Sequence, residues 1–248
     1  MHYRVSALVL KSINFKETDQ IVTMLSHELG KVRAIARGVK KPRSTLRGLV
    51  QPFCHSHFYM IKTGDMFLIT QGKIIDFYGG IREDLNKTLQ SAYLMELADK
   101  SLIDEEPAQS VLDLALSILK YIDEKPLSPL PVRYFETRLL GLLGYEPILK
   151  HCSSCGARGG LNHFSSNAGG ALCGKCSNII PAVKVKPSTL AIIHAMQNQT
   201  PEFLTNLHPT PEMEKEMERV LEDFLEYYLD KRFNIKSVIR VLKASRLN

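Results

Sequence analysis

Four of the five cysteines fall in two pairs, Cys152 with Cys155 and Cys173 with Cys176, each spaced C-x2-C, with seventeen residues between the pairs. In a C-x2-C turn both thiolates can point at one ion, and two such turns supply the four soft ligands that a tetrahedral metal prefers. Zinc is the expected ion, with iron the main competitor for the same ligand set. Four protein ligands leave no open coordination position, so the expected role is structural rather than catalytic. Disulfides, a redox dithiol or buried thiols are the alternatives, and the cytoplasmic setting expected for this chain argues against the first. Gly156 and Gly174 stand where the tight turns call for positive φ, and Gly169-Gly170 offers a bend before the second pair. His151 and His163 flank a ligand shell that is already complete. Cys54 stands alone in a β run as a buried apolar thiol, and His55 and His57 read as ordinary strand residues.

The second chemical feature is a run of cations. Between Leu29 and Gly64 there is no acidic residue, while Lys31, Arg33, Arg37, Lys40, Lys41, Arg43 and Arg47 occupy seventeen positions. The formal net charge of +6 is uneven: residues 1–80 hold 12 Lys and Arg against 5 Asp and Glu, and the remaining 168 hold 20 against 21. A surplus confined to a segment of domain size points to a polyanion partner for that segment. Lys31, Arg33 and Arg37 share parity, which puts them on one face of a strand, and Gly38 to Ser44 extends the charge into a flexible loop. Such a stripe matches how single-strand binders track a phosphate backbone, with Phe53, Phe58 and Tyr59 as stacking candidates or as barrel core. Lysines and arginines in a loop contact phosphates, so binding is expected to be largely sequence-independent.

Enzyme signatures are missing. Gly30-Lys31, Gly72-Lys73 and Gly174-Lys175 are followed by Val, Ile and Cys, so none closes a phosphate-binding loop, and His27-Glu28 lacks the second histidine of a zinc protease. The sequence shows no G-x-S-x-G elbow and no G-x-G-x-x-G fingerprint. A non-enzymatic protein without a nucleotide cofactor is expected. A divalent-metal nuclease using carboxylates near Asp65 or Asp76, or a protein adaptor with an incidental basic loop, are the alternatives.

The elements that must position these residues divide the chain. Hydrophobic residues at 44% and charged residues at 23% are the balance of a globular protein with a real core. No apolar stretch approaches the ~20 residues of a membrane span, so no membrane association is expected. Residues 1–80 read as short strands: Tyr3 to Lys11, Gln20 to Ser26, Lys31 to Arg37, Phe53 to Lys62, Met66 to Gln71 and Lys73 to Tyr78. That many strands in so short a segment fit a small closed barrel, OB-fold or SH3-like. From Arg82 the period turns helical, with further helices at about Ala108 to Ile122 and Val132 to Leu143. Pro126, Pro129 and Pro131 fill a loop, and Gly144 falls at an expected helix C-cap. After the cysteine insert, helices resume from Pro187 and Pro211, the last ending near Lys231 and Arg232.

In this order the segments resemble a known family, the bacterial DNA repair protein RecO. The stretch "ALVLKSINFKETDQIVTMLSHELGKVRAIARGVKKPRS" is similar to that family's opening barrel. "RYFETRLLGLLGYEPILKHCSSCG" resembles its helix leading into a zinc module, which "LCGKC" closes, and "LEYYLDKRFNIKSVIRVL" resembles its last helix and tail. The resemblance implies an α+β protein: an N-terminal OB-fold at 1–80, then a helical domain at 81–248 with the zinc-binding insert at 150–180. It further implies a recombination mediator that binds single- and double-stranded DNA and anneals complementary strands. Its implied partners are RecR and single-strand DNA-binding protein in RecA loading, in the cytoplasm and associated with the nucleoid. The tail of single-strand DNA-binding protein is expected in a groove among the helices.

Overall fold

The structure, a computed structural model, describes residues 1–229, so Lys231, Arg232 and most of the closing segment of resemblance lie outside the described residues. The described residues form two compact units, Met1–Leu127 and one beginning at Ser128.

Five strands build the first unit's barrel: β1 (His2–Phe15), β2 (Asp19–Ser26), β3 (Gly30–Ala36), β4 (His55–Thr63) and β5 (Met66–Asp76). The barrel is closed in the order β1-β2-β3-β5-β4, with β1 returning to pair with β4. Neighbours are antiparallel except β3 and β5, which pair in parallel with Ala34 opposite Phe67 and Ala36 opposite Ile69. This is OB-type topology, and it decides between the two barrels that the strand pattern alone leaves open. The runs 66–71 and 73–78 are one strand, because Gly72 stays in the ladder opposite Phe58. Its bare Cα is needed there: a Cβ would lie 2.8 Å from the His57 carbonyl oxygen.

Alternation fills the barrel. Val5, Ala7, Val9, Val22, Met24, Val32, Ala34, Phe58, Met60, Phe67 and Ile69 point inward and form one buried cluster. Val39, Leu46, Leu49 and Val50 join it from the connection between β3 and β4. That connection therefore packs against the core along much of its length.

Three helices follow: α1 (Gly79–Glu83), α2 (Leu85–Ser101) and α3 (Gln109–Glu124). What the sequence reads as one helical start at Arg82 is two helices, because Asp84 is extended and caps α2, accepting from Asn86 N at 2.7 Å and Lys87 N at 3.2 Å. In α3 the residues Val111, Leu112, Ala115, Ile118, Leu119 and Ile122 recur at the helical period and are buried. Helix α2 packs on β1, burying the outward-facing Leu8.

The second unit holds α4 (Leu130–Leu142), a small sheet of β6 (Leu161–Ser165), β7 (Gly170–Cys173) and β8 (Val183–Lys184), then α5 (Pro187–Asn198) and α6 (Pro211–Leu229). Pro131 belongs to the first turn of α4 rather than to a loop, a position where the missing N–H is no loss. Gly144 ends the helix at φ 83°, its N–H donating to Gly141 O and the next N–H to Leu140 O, which satisfies two terminal carbonyls. Helix α4 packs on both α5 and α6. It is buried on nearly every side, with Arg133 and Glu136 paired inside at 3.1 Å.

Gly30, which opens β3 at φ +66°, sits against the segment after α2: a Cβ would stand 1.8 Å from the Glu106 carbonyl oxygen. Strain and clash act together at this position. Gly30→Ala is expected to destabilise the first unit by more than about 2 kcal/mol in chemical denaturation. A neutral result would mean the 103–106 segment moves freely away from the barrel.

Candidate metal centre and cationic loop

The four cysteines come together from two knuckles. Cys152 N–H donates to Ala157 O and Gly156 N–H to Cys152 O, closing the first turn, with Gly156 at φ 75° as its tightness requires. Cys173 ends β7, and Cys176 opens a short 3-10 turn to Asn178 whose following N–H groups return to Cys176 O. Gly174, expected at positive φ, does not adopt it. The second knuckle closes through the 3-10 turn, which ordinary residues form without strain.

Beneath the knuckles, β6 pairs antiparallel with β7 and β8. Leu172 and Cys152 are buried with Leu161, Ala168 and Ile180 packed around them. Gly170 lets the preceding chain cross closely: a Cβ there would lie 2.2 Å from the Ile148 carbonyl oxygen.

All four Sγ atoms lie within 4.8 Å of one another, and Cys155 Sγ is 3.8 Å from Cys173 Sγ. A tetrahedral ion with metal–sulfur bonds of about 2.3 Å has a sulfur–sulfur edge of about 3.8 Å, so the residues present can hold a metal ion. The electrostatics agree. Burial works against ionising Cys152, but backbone N–H groups at Cys173, Cys155 and Ser154 outweigh it and bring that thiol down to about 6. Cys173 is lowered, chiefly by the N–H of Cys176, whereas Cys176 is pushed up to about 12 by its thiol neighbours, despite a lowering bond to Ser154. Four thiolates this close need a cation to ionise together. His151 and His163 are outside the cluster; His163 Nδ1 is 2.7 Å from Asn162 Oδ1.

The seven cations of the basic run go to three different places. Lys31 is 8% exposed: its ammonium donates to Asp99 O and Leu102 O at 2.7 Å each, at the C-terminal end of α2, and lies 3.0 Å from Asp104 Oδ1. This side chain belongs to the fold, and the phosphate role expected for it has a competing, buried one. Arg33 is exposed but paired with Asp104 Oδ2 at 2.7 Å. Arg37, Lys41, Arg43 and Arg47 are exposed and Lys40 half-buried, and none of the five takes part in an ion pair among the described residues.

The loop carrying them is pinned rather than flexible. Asp19 Oδ1 accepts from Gly38 N at 2.8 Å, Lys40 N donates to Thr18 O, and Arg47 closes back onto Lys40 O and Lys41 O. The Gly38 N–H holds the Asp19 carboxyl below its usual range, helped by Lys16 and Arg37. Lys16, in the β1–β2 turn, thus shares one carboxylate neighbour with the loop. The sequence reading missed it because strand β2 separates it from the basic run.

The other singled-out residues behave simply. Cys54 is fully buried with Sγ 3.3 Å from Ser56 Oγ, and burial raises its thiol. His55 Nε2 meets Ser6 Oγ at 2.8 Å. Phe53 and Phe58 are core, whereas Tyr59 is exposed.

Fold and site together define an OB-barrel protein that presents a cationic loop and carries a separate four-cysteine module. Comparison with known proteins agrees along the whole chain. A family model described as Recombination protein O N terminal matches residues 1–78, and one described as Recombination protein O C terminal matches 82–237. A protein named DNA repair protein RecO from Syntrophomonas wolfei is 42% identical over 246 residues, covering 99% of this chain and 98% of its own. Proteins of the same name from Desulforamulus reducens and Bacillus subtilis are 33% and 32% identical, covering 99% and 91% of this chain and 96% and 89% of theirs. The chain belongs to the RecO family of DNA repair proteins. None of the described helices is long and apolar enough to cross a membrane.

Two outcomes follow from these contacts. Lys31→Met strands the last carbonyls of α2 and leaves Asp104 with Arg33 alone, and is expected to destabilise the protein by about 1 to 3 kcal/mol at neutral pH. Burial alone would raise the Asp104 carboxyl, but Lys31 and Arg33 hold it below its usual range. Stability from a depressed carboxyl is present above its unfolded value and lost as pH falls through the folded one, so the mutant's deficit should shrink in acid. Equal deficits at neutral and acid pH would assign the loss to packing.

For the metal centre, elemental analysis is expected to find about one ion per chain. Cys152→Ser or Cys176→Ser should lose the ion and speed hydrogen exchange across 150–180. Acid should release the ion from the unaltered chain as protons compete for sulfur. A metal-free chain with slow exchange in this segment would show that the module folds on its core alone.

Proposed function

We propose that this chain is a non-enzymatic recombination mediator in DNA repair. It binds single- and double-stranded DNA largely independently of sequence, anneals complementary strands and, with RecR and single-strand DNA-binding protein, assists RecA loading. The observation that carries the reading is the set Arg37, Lys40, Lys41, Arg43 and Arg47, without ion-pair partners among the described residues, on a loop whose backbone is anchored to the barrel. Cations free of carboxylate partners release condensed counterions when they meet phosphates, and this supplies affinity without base reading. Annealing needs the repulsion between two backbones lowered and no covalent bond made or broken, so the activity requires no catalytic group. On this reading residues 1–80 are the nucleic-acid-binding domain, Arg33 adds a phosphate contact where a phosphate replaces Asp104 as its partner, and Lys31 serves the fold beside it.

The ion is zinc, which suits four thiolates and a tetrahedral shell closed to substrate. It is scaffold for residues 150–180 of the helical region, which spans 81–248. A cleft of about 800 Å³ lined by Lys184, Lys186, Lys215, Arg219, Glu212 and Glu216 is a candidate groove for the tail of single-strand DNA-binding protein.

The test is a salt titration. Arg37, Lys40, Lys41 and Arg43 changed together to alanine should leave thermal stability nearly unchanged, because exposed unpaired charges add little to folding. Arg47 is left in place because it closes the loop. Losing three or four contacts should flatten the plot of log affinity against log salt by about 2 to 3 units on single strands. The loss should be similar for different sequences. A variant with the original slope would move the DNA path away from this loop.

A further inference from the structure

The helices of the first unit leave part of the barrel's outer surface open. On β1, against which α2 packs, the outward-facing Leu8 is buried, whereas His2 and Arg4 on the same face are exposed. The ladder extends this open region across three strands. Arg4 stands opposite Tyr59, and Tyr59 opposite Gln71; Ser6 stands opposite His57, and His57 opposite Lys73.

This face has an unusual composition. Tyr59 is 41% exposed between the core residues Phe58 and Met60, and the Arg4 guanidinium lies over its ring at 5.7 Å. Lys73 and Gln71 are exposed on the far side. Neither Arg4 nor Lys73 takes part in an ion pair among the described residues, and the rungs themselves carry no carboxylate. The nearest acids stand at the border and are engaged: Glu28 accepts from Ser6 N at 3.3 Å, and Asp76, opposite His55, accepts from Tyr78 N at 2.9 Å. With strands about 4.8 Å apart and a rise of about 3.3 Å per residue, Arg4 beside Tyr59 and Lys73 beside His57 lie diagonally across β4 at about 12 Å from each other.

An exposed ring on the outer face of the barrel, with one unpaired cation on its own rung and a second on the next, is suited to a base and its phosphates. Tyrosine and arginine also occur at protein interfaces, but lysine is depleted there, so Lys73 favours a polyanion over a protein on this face. The geometry points to a second nucleic-acid surface on the outer face of β1, β4 and β5, where Tyr59 stacks an unpaired base and Arg4 and Lys73 hold flanking phosphates. This rests on the DNA-binding reading above and adds to it, since the cationic loop and this face use different residues.

The chain contains no tryptophan, so Tyr59→Trp places a single reporter at the platform. Its emission is followed with oligothymidine and with an abasic oligonucleotide of the same length, while the anisotropy of labelled DNA reports binding in parallel. Oligothymidine should quench the emission and the abasic strand should not. Tyr59→Ala should weaken oligothymidine binding about 10-fold, with Tyr59→Phe close to the original protein and abasic affinity nearly unchanged. Should Tyr59→Trp not fold, the alanine and phenylalanine variants carry the test alone. Unmoved emission at saturating oligothymidine, or equal affinities for the alanine and phenylalanine variants, overturns the platform while leaving DNA binding standing and assigns the face to a protein partner. Absence of any anisotropy change with the unaltered protein overturns both readings.

Discussion

A closed barrel of five short strands must be filled by residues of alternating parity, and here the strands do not fill it alone. Val39, Leu46, Leu49 and Val50 complete the interior from the β3–β4 connection. The same eighteen-residue stretch from Arg37 to Cys54 must therefore bury apolar side chains inward and carry Arg37, Lys41, Arg43 and Arg47 outward. This double duty fixes where the charge sits. It also explains why so much charge is tolerated: the loop is held by its buried half, by Asp19 and by the Arg47 closure, and not by its other cations.

How far the sequence could be read depended on the range of the interactions involved. The cysteine cluster was legible because its geometry is local, two knuckles each closed by bonds among close neighbours in the chain. The amphipathic helix at 109–124 was legible for the same reason. Lys31 was not: its parity matched Arg33 and Arg37, but its partners Asp99, Leu102 and Asp104 lie some seventy positions away, and only the packed α2 turns a surface lysine into a buried one. The strands of the cysteine module escaped notice because runs of five, four and two residues are too short to show a period. Gly72 misled in the other direction, as a turn signal inside a strand that needs the glycine for backbone proximity.

The two compact units solve the burial of charge differently. In the first, Lys31 sits under a helix end where carbonyl oxygens and carboxylates converge on it from the α2 terminus. In the second, α4 is enclosed on nearly all sides and keeps an arginine and a glutamate one turn apart along its own axis. Removing one partner from either arrangement leaves a charge in a poor dielectric, which is strongly destabilising.

The anchoring of the cationic loop bears on time as well as energy. A loop already held by Asp19, Thr18 and Arg47 has little conformational entropy left to lose when it meets a polyanion. Encounter then proceeds without a slow ordering step, accelerated by the surrounding charge. Departure is also stepwise, because each cation can exchange a phosphate for salt ions without disturbing the backbone beneath it. On the proposed DNA-binding role, such a surface suits brief, repeated sampling of register along a strand, in which wrong alignments are abandoned quickly and only complementary ones persist.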